Sequence, residues 1–477
     1  MKKVLLLNPP GKDIYIRDYY CSKTTQADYV IPPVDLLMLS AVFSDAVPGY
    51  YEIKFIDAVV EKLSVGDCLA QCLEFAPDAV VSLVGAVSWE EDKNFLKNLR
   101  DIFVSNGKPA PEIIVSGDIL MGEEDEAKKF FEELGVARAA IFDFTNRDAP
   151  RIAEGDFASV ESAIYRRENG DIALVKRKPL PGGDYPIGVP LQEFFVTKNY
   201  RHPFSRRKRF ATVLTEFGCP YDCSFCIIGT LPYKRRPVEE VLKEVRRVKS
   251  LGVSEIFFAT QTFGVSKSYT LDLCRRLQDE KIGWFTFSRV DVADEELLVA
   301  MKRAGCHTII FGVESGSDEI LRRYRKGYDK KRIREVLLRC RRLGISTVGT
   351  FILGLPEDTR ETLEETLAFI KELPLDYASF NVAVPRPGTD LRREAISGGL
   401  IDDKSASYSV MDQSRADISA GTRTLSGEEV LYFRRKMVSA FYLSPVYIVK
   451  RLLAIRSWQD LVSHIRHAFS LVKRTWG

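Results

Sequence analysis

Short apolar runs alternate with amphipathic helical patterns along most of this chain of 477 residues. From Lys3 to about residue 145, the apolar runs are "KVLLLNP", "YEIKFIDA", "DAVVSLVGA", "EIIVSG" and "RAAIFDF". Nearly continuous apolar strands between helices are typical of a parallel sheet that is covered on both faces. Residues 1–145 are therefore predicted to form a doubly wound α/β domain.

Sheets of this kind bind ligands at the carboxyl ends of their strands, where loops lead into the next helices. Three such loops follow the apolar runs, at Asn8-Pro9-Pro10-Gly11, Gly85 to Trp89, and Ser116-Gly117-Asp118. The candidate ligand-binding residues in these loops are Asn8, Pro9, Pro10, Gly85, Ser116 and Gly117.

The rest of the chain divides into three further parts. Residues 146–205 contain the Pro- and Gly-rich stretch "KRKPLPGGDYPIGVP" and are expected to form a connector on the surface. Residues 206–395 contain six further apolar runs that alternate with helices, which predicts a complete or partial parallel β/α barrel with its chemistry at the carboxyl ends of the strands. Residues 396–477 show helical patterns only, and we expect a C-terminal helical domain.

The stretch "GCPYDCSFCIIG" places Cys219, Cys223 and Cys226 directly after the first predicted barrel strand, at spacing C-x3-C-x2-C. A structural zinc ion would need a fourth Cys or His, and the nearest histidine, His202, precedes the strand. Three thiolates can instead hold three irons of a four-iron cluster and leave the fourth iron open. The motif therefore predicts a [4Fe-4S] cluster in a βα loop.

Charge and cysteine content limit the other possibilities. With 69 basic and 66 acidic residues, the overall charge does not favour nucleic acid as a partner. The nine cysteines, an odd number, together with the short first apolar run, predict a reducing cytoplasm rather than export. We expect packing roles for five other cysteines, and Cys21 lies in a polar loop where a free thiol is expected. The five are Cys68, Cys72, Cys274, Cys306 and Cys340.

The segment "CPYDCSFC", with Phe225 before the last cysteine, resembles the cluster motif of the radical S-adenosylmethionine (SAM) superfamily. The segments "FSRVD", "FGVESGSDEIL", "GTFILGLPEDT" and "VPRPGTDL" follow in the order found in that superfamily, and the resemblance covers roughly residues 205 to 395. It implies that the open iron binds SAM and that electron transfer yields a 5'-deoxyadenosyl radical, which abstracts hydrogen from an unactivated carbon.

The resemblance also implies roles for individual residues at the strand ends. Glu314 and Ser315 would hydrogen-bond the ribose or amino group of SAM, Gly312 and Gly316 would let the backbone approach the ligand, and Arg289, next to Ser288, would pair with the methionine carboxylate. A structural ion pair of Arg289 with Asp291 or Glu295 is the alternative. Related proteins often carry acidic residues at the end of the second strand, where this chain has Thr260 and Gln261.

The first domain resembles that of the cobalamin-binding class of radical SAM enzymes, which includes enzymes of anaerobic chlorophyll-ring closure and of hopanoid and lipid tailoring. The Asp-x-His-x-x-Gly loop of better-known cobalamin domains is absent, and all four histidines lie outside residues 1–145. No imidazole of this domain can therefore ligate cobalt. A domain that keeps the fold without binding a corrin is the alternative.

The class suggests methylation of an unactivated carbon as the leading reaction, with cyclisation, ring contraction or carbon–carbon coupling of a lipid or isoprenoid as the alternative. A non-catalytic iron–sulfur carrier would not need the "GVESG" and "GTFILGLP" segments behind the cluster loop. We expect a small, apolar substrate and an external electron donor of the flavodoxin or ferredoxin type.

The C-terminal segment from Lys450 onward carries six basic residues and one acidic residue. The apolar residues from Trp458 to Val472 share one helical face, opposite Arg466, Lys473 and Arg474. A basic amphipathic helix of this kind can lie on an anionic membrane surface. Packing of the helix against the barrel is the alternative, and the sequence does not separate the two.

Overall fold

The structure is a computed structural model that describes residues 1–19, 21–25, 29–175, 183–185, 187–401, 412 and 419–454. The strands in these ranges are β1 (Lys2–Asn8), β2 (Tyr15–Ile16), β3 (Lys23–Thr24), β4 (Tyr51–Asp57), β5 (Ala79–Leu83), β6 (Glu112–Ser116), β7 (Ala139–Ile141), β8 (Ala163–Arg166), β9 (Ile172–Val175), β10 (Ala211–Val213), β11 (Glu216–Phe217), β12 (Lys234–Arg235), β13 (Glu255–Phe258), β14 (Gly283–Ser288), β15 (Cys306–Glu314), β16 (Ser346–Leu353) and β17 (Tyr377–Val382).

The α-helices are α1 (Val34–Ala46), α2 (Val65–Phe75), α3 (Trp89–Ser105), α4 (Glu124–Leu134), α5 (Asp148–Ala153), α6 (Glu193–Val196), α7 (Val238–Ser250), α8 (Lys267–Leu277), α9 (Glu295–Arg303), α10 (Asp318–Arg323), α11 (Lys330–Leu343), α12 (Arg360–Glu372), α13 (Asp390–Ser397), α14 (Gly427–Tyr442) and α15 (Pro445–Ala454). No helix within the described ranges is long and apolar enough to cross a membrane.

The chain forms two compact units. The first comprises ranges 1–24, 30–221 and 227–261, and the second comprises ranges 25–29, 222–226 and 262–477.

The first unit contains a seven-stranded sheet, with the order β4-β1-β5-β6-β7-β8-β9 among the described strands. The strands from β4 to β7 run parallel. Their order reverses between β1 and β5, which is the switch point of a flavodoxin-like doubly wound sheet. The predicted fold class is thus confirmed, and Val4 to Leu7 of β1 are fully buried, as expected for a strand covered on both faces.

The segment that the sequence predicts to be a connector is more regular than its Pro and Gly content suggests. Strands β8 and β9 pair with each other in antiparallel fashion, and β8 extends the sheet at β7. They flank Asn169-Gly170, a dipeptide that favours tight hairpin turns, and Gly170 has a φ of 88°. This hairpin signal, rather than the later Pro-rich stretch, determines the structure of residues 163–175.

Parallel strands also form the second half of the fold. In the second unit β14, β15, β16 and β17 are neighbours in chain order, and each pair is parallel. In the first unit β10 and β13 pair in parallel. The helices α9, α11 and α12 lie between the later strands along the chain, as expected for successive βα units.

Candidate functional site

A glycine turn leads into the cysteine loop after β11. Gly218 has a φ of 73°, and a Cβ at this position would lie 2.4 Å from the carbonyl oxygen of Pro232. A side chain here would therefore be both strained and sterically blocked. Within the loop, the amide of Cys226 donates to the carbonyl of Cys223 over 2.9 Å, and Cys223 is buried while Cys219 and Cys226 are half-buried.

Arg289, which follows β14, contacts the sulfur of Cys223. Its Nη1 lies 3.2 Å from Cys223 Sγ. Its Nε and Nη2 donate to the two carboxylate oxygens of Asp291 over 3.0 and 2.8 Å. Burial disfavours the charged guanidinium, but the Asp291 hydrogen bond and the nearby Cys223 raise the pKa of Arg289 overall. The ion pair with Asp291, which the sequence leaves as an alternative, is present.

Glu314 at the end of β15 forms a buried ion pair with Lys326. The distance from Lys326 Nζ to Glu314 Oε1 is 3.1 Å. Glu314 has a φ of 65°, an unfavourable value for a non-glycine residue, and the register between β15 and β16 shifts between Gly312 and Glu314. A Cβ on Gly312 would lie 2.3 Å from Glu314 Oε1. Gly312 thus makes room for a side chain of its own strand.

Lys326 also lies beside the cysteine loop. Its Nζ is 5.4 Å from the ring centroid of Phe225 and 5.4 Å from that of Tyr328, which is within cation–π range. The carbonyl oxygen of Arg325 lies 3.9 Å from Cys223 Sγ. The motifs of the superfamily do not single out Lys326, which lies in the basic run "RRYRKGYDKK".

Ser315 and Gly316 serve packing in this structure. The Gly316 amide donates to Thr366 Oγ1 of α12 over 2.9 Å, and the Ser315 hydroxyl lies 3.2 Å from the same atom. A Cβ on Gly316 would lie 2.6 Å from the Cα of Thr366. The glycine therefore permits close approach of a helix. The Ser288 hydroxyl donates a hydrogen bond to the carbonyl of Phe263 over 2.7 Å and likewise stabilises the backbone.

At the end of β13, Thr260 and Gln261 make contacts within the first unit. Thr260 Oγ1 donates to the carbonyl of Glu216 over 3.3 Å, and Gln261 Nε2 lies 3.4 Å from the hydroxyl of Tyr19. The Glu216 carboxylate accepts a hydrogen bond from Tyr233. Burial raises the pKa of Glu216 to about 7. The Glu216 carboxyl group thus lies beside the carboxyl end of β13, where the sequence has the neutral residues Thr260 and Gln261.

Arg17 ties together the loops at the carboxyl edge of the first sheet. Its guanidinium is buried and pairs with Asp92 at 2.7 Å. It also donates to Asn8 Oδ1 over 3.0 Å and to the carbonyl oxygens of Pro9 and Pro10 over 2.8 and 3.4 Å. The buried Arg17 side chain therefore fixes the conformation of the Asn8-Pro9-Pro10 loop, which the sequence predicts to bind a ligand.

The other two predicted loops meet at Asp118. Its carboxylate accepts from the amide and hydroxyl of Ser22 over 2.7 and 2.8 Å and from the amide of Ala86 over 3.0 Å. A Cβ on Gly117 would lie 1.7 Å from the carbonyl oxygen of Val84, and one on Gly85 would lie 2.9 Å from the Ser88 hydroxyl. Both glycines permit close backbone packing at this edge.

Two carboxylates at the same edge keep an oxygen without a hydrogen-bond donor. Asp35 Oδ2 accepts from Ser116 over 3.0 Å, whereas Asp35 Oδ1 and Asp18 Oδ1 have no partner among the described residues. Burial raises the pKa of Asp35 to about 7 and also raises that of Asp18. Unpaired buried acceptors are costly, so this edge suits a ligand that brings N–H donors.

Among the described residues, no three His, Cys, Asp or Glu side chains are grouped to hold one metal ion. The guanidinium of Arg289 lies beside Cys223 and favours negative charge on that sulfur.

The sequence of the chain is similar to those of known proteins. Residues 214–370 match the Radical SAM superfamily. The chain is 28% identical to an uncharacterized methyltransferase of Pyrococcus horikoshii, over 94% of either chain. It is 23% identical to cytidylyl-2-hydroxyethylphosphonate methyltransferase of Streptomyces wedmorensis, over 85% of this chain and 84% of that one.

Two solved structures share the fold. The radical SAM methyltransferase TsrM of Kitasatospora setae, determined with cobalamin and a [4Fe-4S] cluster, matches with a TM-score of 0.69 at 15% identity, over 98% of this chain and 99% of that one. The cobalamin-dependent radical SAM enzyme OxsB, determined with aqua-cobalamin and SAM, matches with a TM-score of 0.70 at 17% identity, over 99% of this chain and 72% of that one.

Proposed function

We propose that this chain, whose residues 214–370 form a radical SAM domain, is an enzyme that methylates an unactivated carbon with the help of cobalamin. The observation that carries the proposal is that one chain contains both the cysteine loop with its cationic neighbour and a doubly wound domain whose ligand edge has two unpaired carboxylate oxygens. The names and fold of the relatives support methylation over cyclisation or coupling.

In this proposal Cys219, Cys223 and Cys226 bind three irons of a [4Fe-4S] cluster. When bound, the cluster supplies the electron that cleaves SAM reductively. The remaining residues of the loop and strand ends position SAM. Lys326 and Glu314 are a buried cation and anion that can separate to bind the carboxylate and the ammonium or ribose hydroxyls of SAM. The ring of Phe225 faces Lys326 and lines the proposed SAM site.

Cobalamin would lie at the carboxyl edge of the first sheet, near its switch point. The amide side chains of a corrin are N–H donors, which could pair with Oδ1 of Asp18 and of Asp35, the two oxygens without a partner among the described residues. Cobalamin, when bound, can carry the methyl group. Since residues 1–145 contain no histidine, these residues leave the lower face of cobalt without an imidazole ligand.

The further parts of the proposal concern organisation and partners. We retain the domain boundaries 1–145, 146–205, 206–395 and 396–477, with the hairpin of β8 and β9 joining the first sheet. The substrate is a small molecule, an apolar one in our proposal, and an external flavodoxin- or ferredoxin-type protein supplies electrons. We place the enzyme in the cytoplasm with peripheral contact to an anionic membrane.

Anaerobic reconstitution tests the proposal most directly. The wild-type chain should bind about four irons and, with dithionite, convert SAM to 5'-deoxyadenosine. Cys223→Ala should lose the cluster absorbance and the cleavage activity. Cys274→Ala is the matched control, because Cys274 is a buried cysteine on α8, outside the loop. Unchanged iron content in Cys223→Ala would contradict the cluster assignment.

A second experiment separates methylation from ring-forming chemistry. Cobalamin-loaded enzyme, SAM with a trideuterated methyl group and an extract of small molecules should yield a product that contains the labelled methyl group, detected by mass spectrometry. A product that forms from SAM cleavage without the label would instead support cyclisation or coupling.

A further inference from the structure

The guanidinium of Arg289 is held on several sides, and one nitrogen is directed at Cys223. Asp291 accepts from Nε and Nη2, and the Lys326 carbonyl accepts from Nη2 over 2.5 Å. The remaining nitrogen, Nη1, lies 3.2 Å from Cys223 Sγ. The Tyr328 ring centroid lies 5.3 Å from the guanidinium carbon. The planar group thus has little freedom to turn away from the sulfur.

This arrangement does not fit the role that the sequence predicts for Arg289. A carboxylate ligand binds arginine best through two parallel N–H bonds, and Asp291 already occupies that fork. Lys326, by contrast, has its ammonium on Glu314 and is a compact cation that can change partner. Arg289 is therefore better placed to act on the cysteine sulfur than on SAM.

We propose that Arg289 is a positioning residue that donates a hydrogen bond to the Cys223 thiolate and thereby raises the reduction potential of the cluster, with Asp291 orienting the guanidinium. This inference rests on the proposed function, since it assumes a cluster on Cys219, Cys223 and Cys226. It assigns to the pair a role in electron acceptance rather than in SAM binding.

The physical basis is the charge of the cluster. Reduction adds one negative charge, and a fixed cation with an N–H directed at a ligand sulfur stabilises the reduced state more than the oxidised state. The effect is strengthened because Arg289 and Cys223 are both buried, which lowers the local dielectric constant. A higher potential makes the cluster easier to reduce by an external donor.

Potentiometric titration of the reconstituted protein, followed by the electron paramagnetic resonance signal of the reduced cluster, tests this. Arg289→Gln should shift the midpoint potential to a lower value. Asp291→Asn keeps the arginine charge and removes the negative charge of the carboxylate, which by itself favours reduction, so we expect its midpoint potential to lie above that of Arg289→Gln. Arg303→Gln is the control, because it removes the same charge from an exposed position at the end of α9 and should leave the potential unchanged.

SAM affinity and iron content complete the test. With four irons retained, Arg289→Gln should bind SAM within about threefold of the wild type, because Arg289 acts on the Cys223 sulfur and not on SAM. A tenfold change in affinity corresponds to about 1.4 kcal/mol. A tenfold or larger loss of SAM affinity, or an unchanged potential in both variants, would overturn the inference. Loss of iron from both variants would also overturn it, because the pair would then hold the loop rather than tune the cluster. A wild-type chain that binds no cluster would instead refute the proposed function.

Discussion

Lys326 Nζ lies 3.1 Å from Glu314 Oε1, in a buried pair that forms beside the cysteine loop. Glu314 adopts a left-handed backbone conformation, which costs a non-glycine residue on the order of 1–3 kcal/mol and persists only where the surrounding structure enforces it. A buried ion pair contributes little net stability, because desolvation offsets attraction. The strained conformation and the buried pair agree with the proposed role of both residues in binding SAM.

Replacing Lys326 by Gln should weaken SAM binding. A hydrogen bond to a charged group contributes about 1.5–3 kcal/mol, so we expect the dissociation constant to rise on the order of tenfold to a hundredfold. The measurement is the SAM-induced change in the paramagnetic resonance spectrum of the reduced cluster, titrated with SAM. Arg323→Gln, at a more exposed position on α10, should bind as the wild type does. Equal affinity of Lys326→Gln and Arg323→Gln would show that Lys326 does not contact SAM.

Asp18 should contribute to retention of cobalamin. Removing its unpaired carboxylate by Asp18→Ala takes away an acceptor for a corrin amide, and we expect weaker binding of hydroxocobalamin, by about tenfold. Equilibrium dialysis with absorbance detection gives the affinity. Asp13→Ala lies in the same loop region at an exposed position and serves as the control. If both variants bind cobalamin equally well, the corrin lies elsewhere.

The Co(II) form of the bound cobalamin should lack a histidine ligand from the protein. All four histidines lie beyond residue 145, and His202 is half-buried among aromatic rings, where desolvation lowers its pKa to about 3. The paramagnetic resonance spectrum should therefore show no superhyperfine splitting from a protein nitrogen. Isotopic labelling of histidine with ¹⁵N provides the check, since a change of the spectrum on labelling would demonstrate the ligand that we exclude.

The main features of the fold were accessible from the sequence, because strand and helix periodicity is local. The cysteine loop could be identified from the sequence for the same reason. Its three cysteines, Cys219, Cys223 and Cys226, lie within eight residues. The hairpin at Asn169-Gly170 was not predicted although its signal is local. The Pro-rich stretch after it led to the prediction of a connector over residues 146–205.

Contacts between residues that are distant in the sequence could not be predicted from it. Lys326 meets Glu314 across the α10 segment, and Glu216 meets Thr260 across 44 positions, so no spacing rule predicts either pair. The sequence marks Arg289 as a candidate but cannot decide between a ligand carboxylate and Asp291 as its partner, and the structure shows Asp291 in contact with it. For Gly316, the sequence predicted close approach of a ligand, whereas the structure shows that helix α12 makes the approach.

Asp35 should make the stability of the ligand-free protein depend on pH. Burial raises its pKa from 3.8 to about 7, so the folded state keeps a proton that the unfolded state releases within this range. The free energy of unfolding should therefore fall as pH rises from about 4 to about 7, by about 1.4 kcal/mol for each unit of pKa shift. Asp35→Asn should unfold at a higher temperature than the wild type at pH 8, by a smaller margin at pH 5 and at a similar temperature near pH 4. A difference that does not grow with pH would refute the assignment.

The segment from about Ser457 to Arg474, for which the sequence predicts a basic amphipathic helix, lies outside the described residues. The helix before it, α15, is described, and Val446 and Val449 on it are exposed, as is Leu443 just before it. Exposed apolar side chains followed by a basic amphipathic segment favour binding to an anionic membrane surface. An apolar substrate would then be available from the bilayer itself.

Membrane binding predicts that the protein co-sediments with vesicles of phosphatidylserine and phosphatidylcholine at low salt and is released at high salt. Each basic residue near the surface contributes about 1 kcal/mol, and salt screens this attraction within a Debye length. Charge reversal at Arg466, Lys473 and Arg474 should therefore abolish sedimentation while leaving the melting temperature unchanged. Packing against the protein predicts the opposite result, because Trp458→Ala would then lower stability by about 3 kcal/mol or more and charge reversal would have no effect on sedimentation. Failure to bind anionic vesicles at low salt, together with a clear stability loss for Trp458→Ala, would rule out membrane contact through this helix.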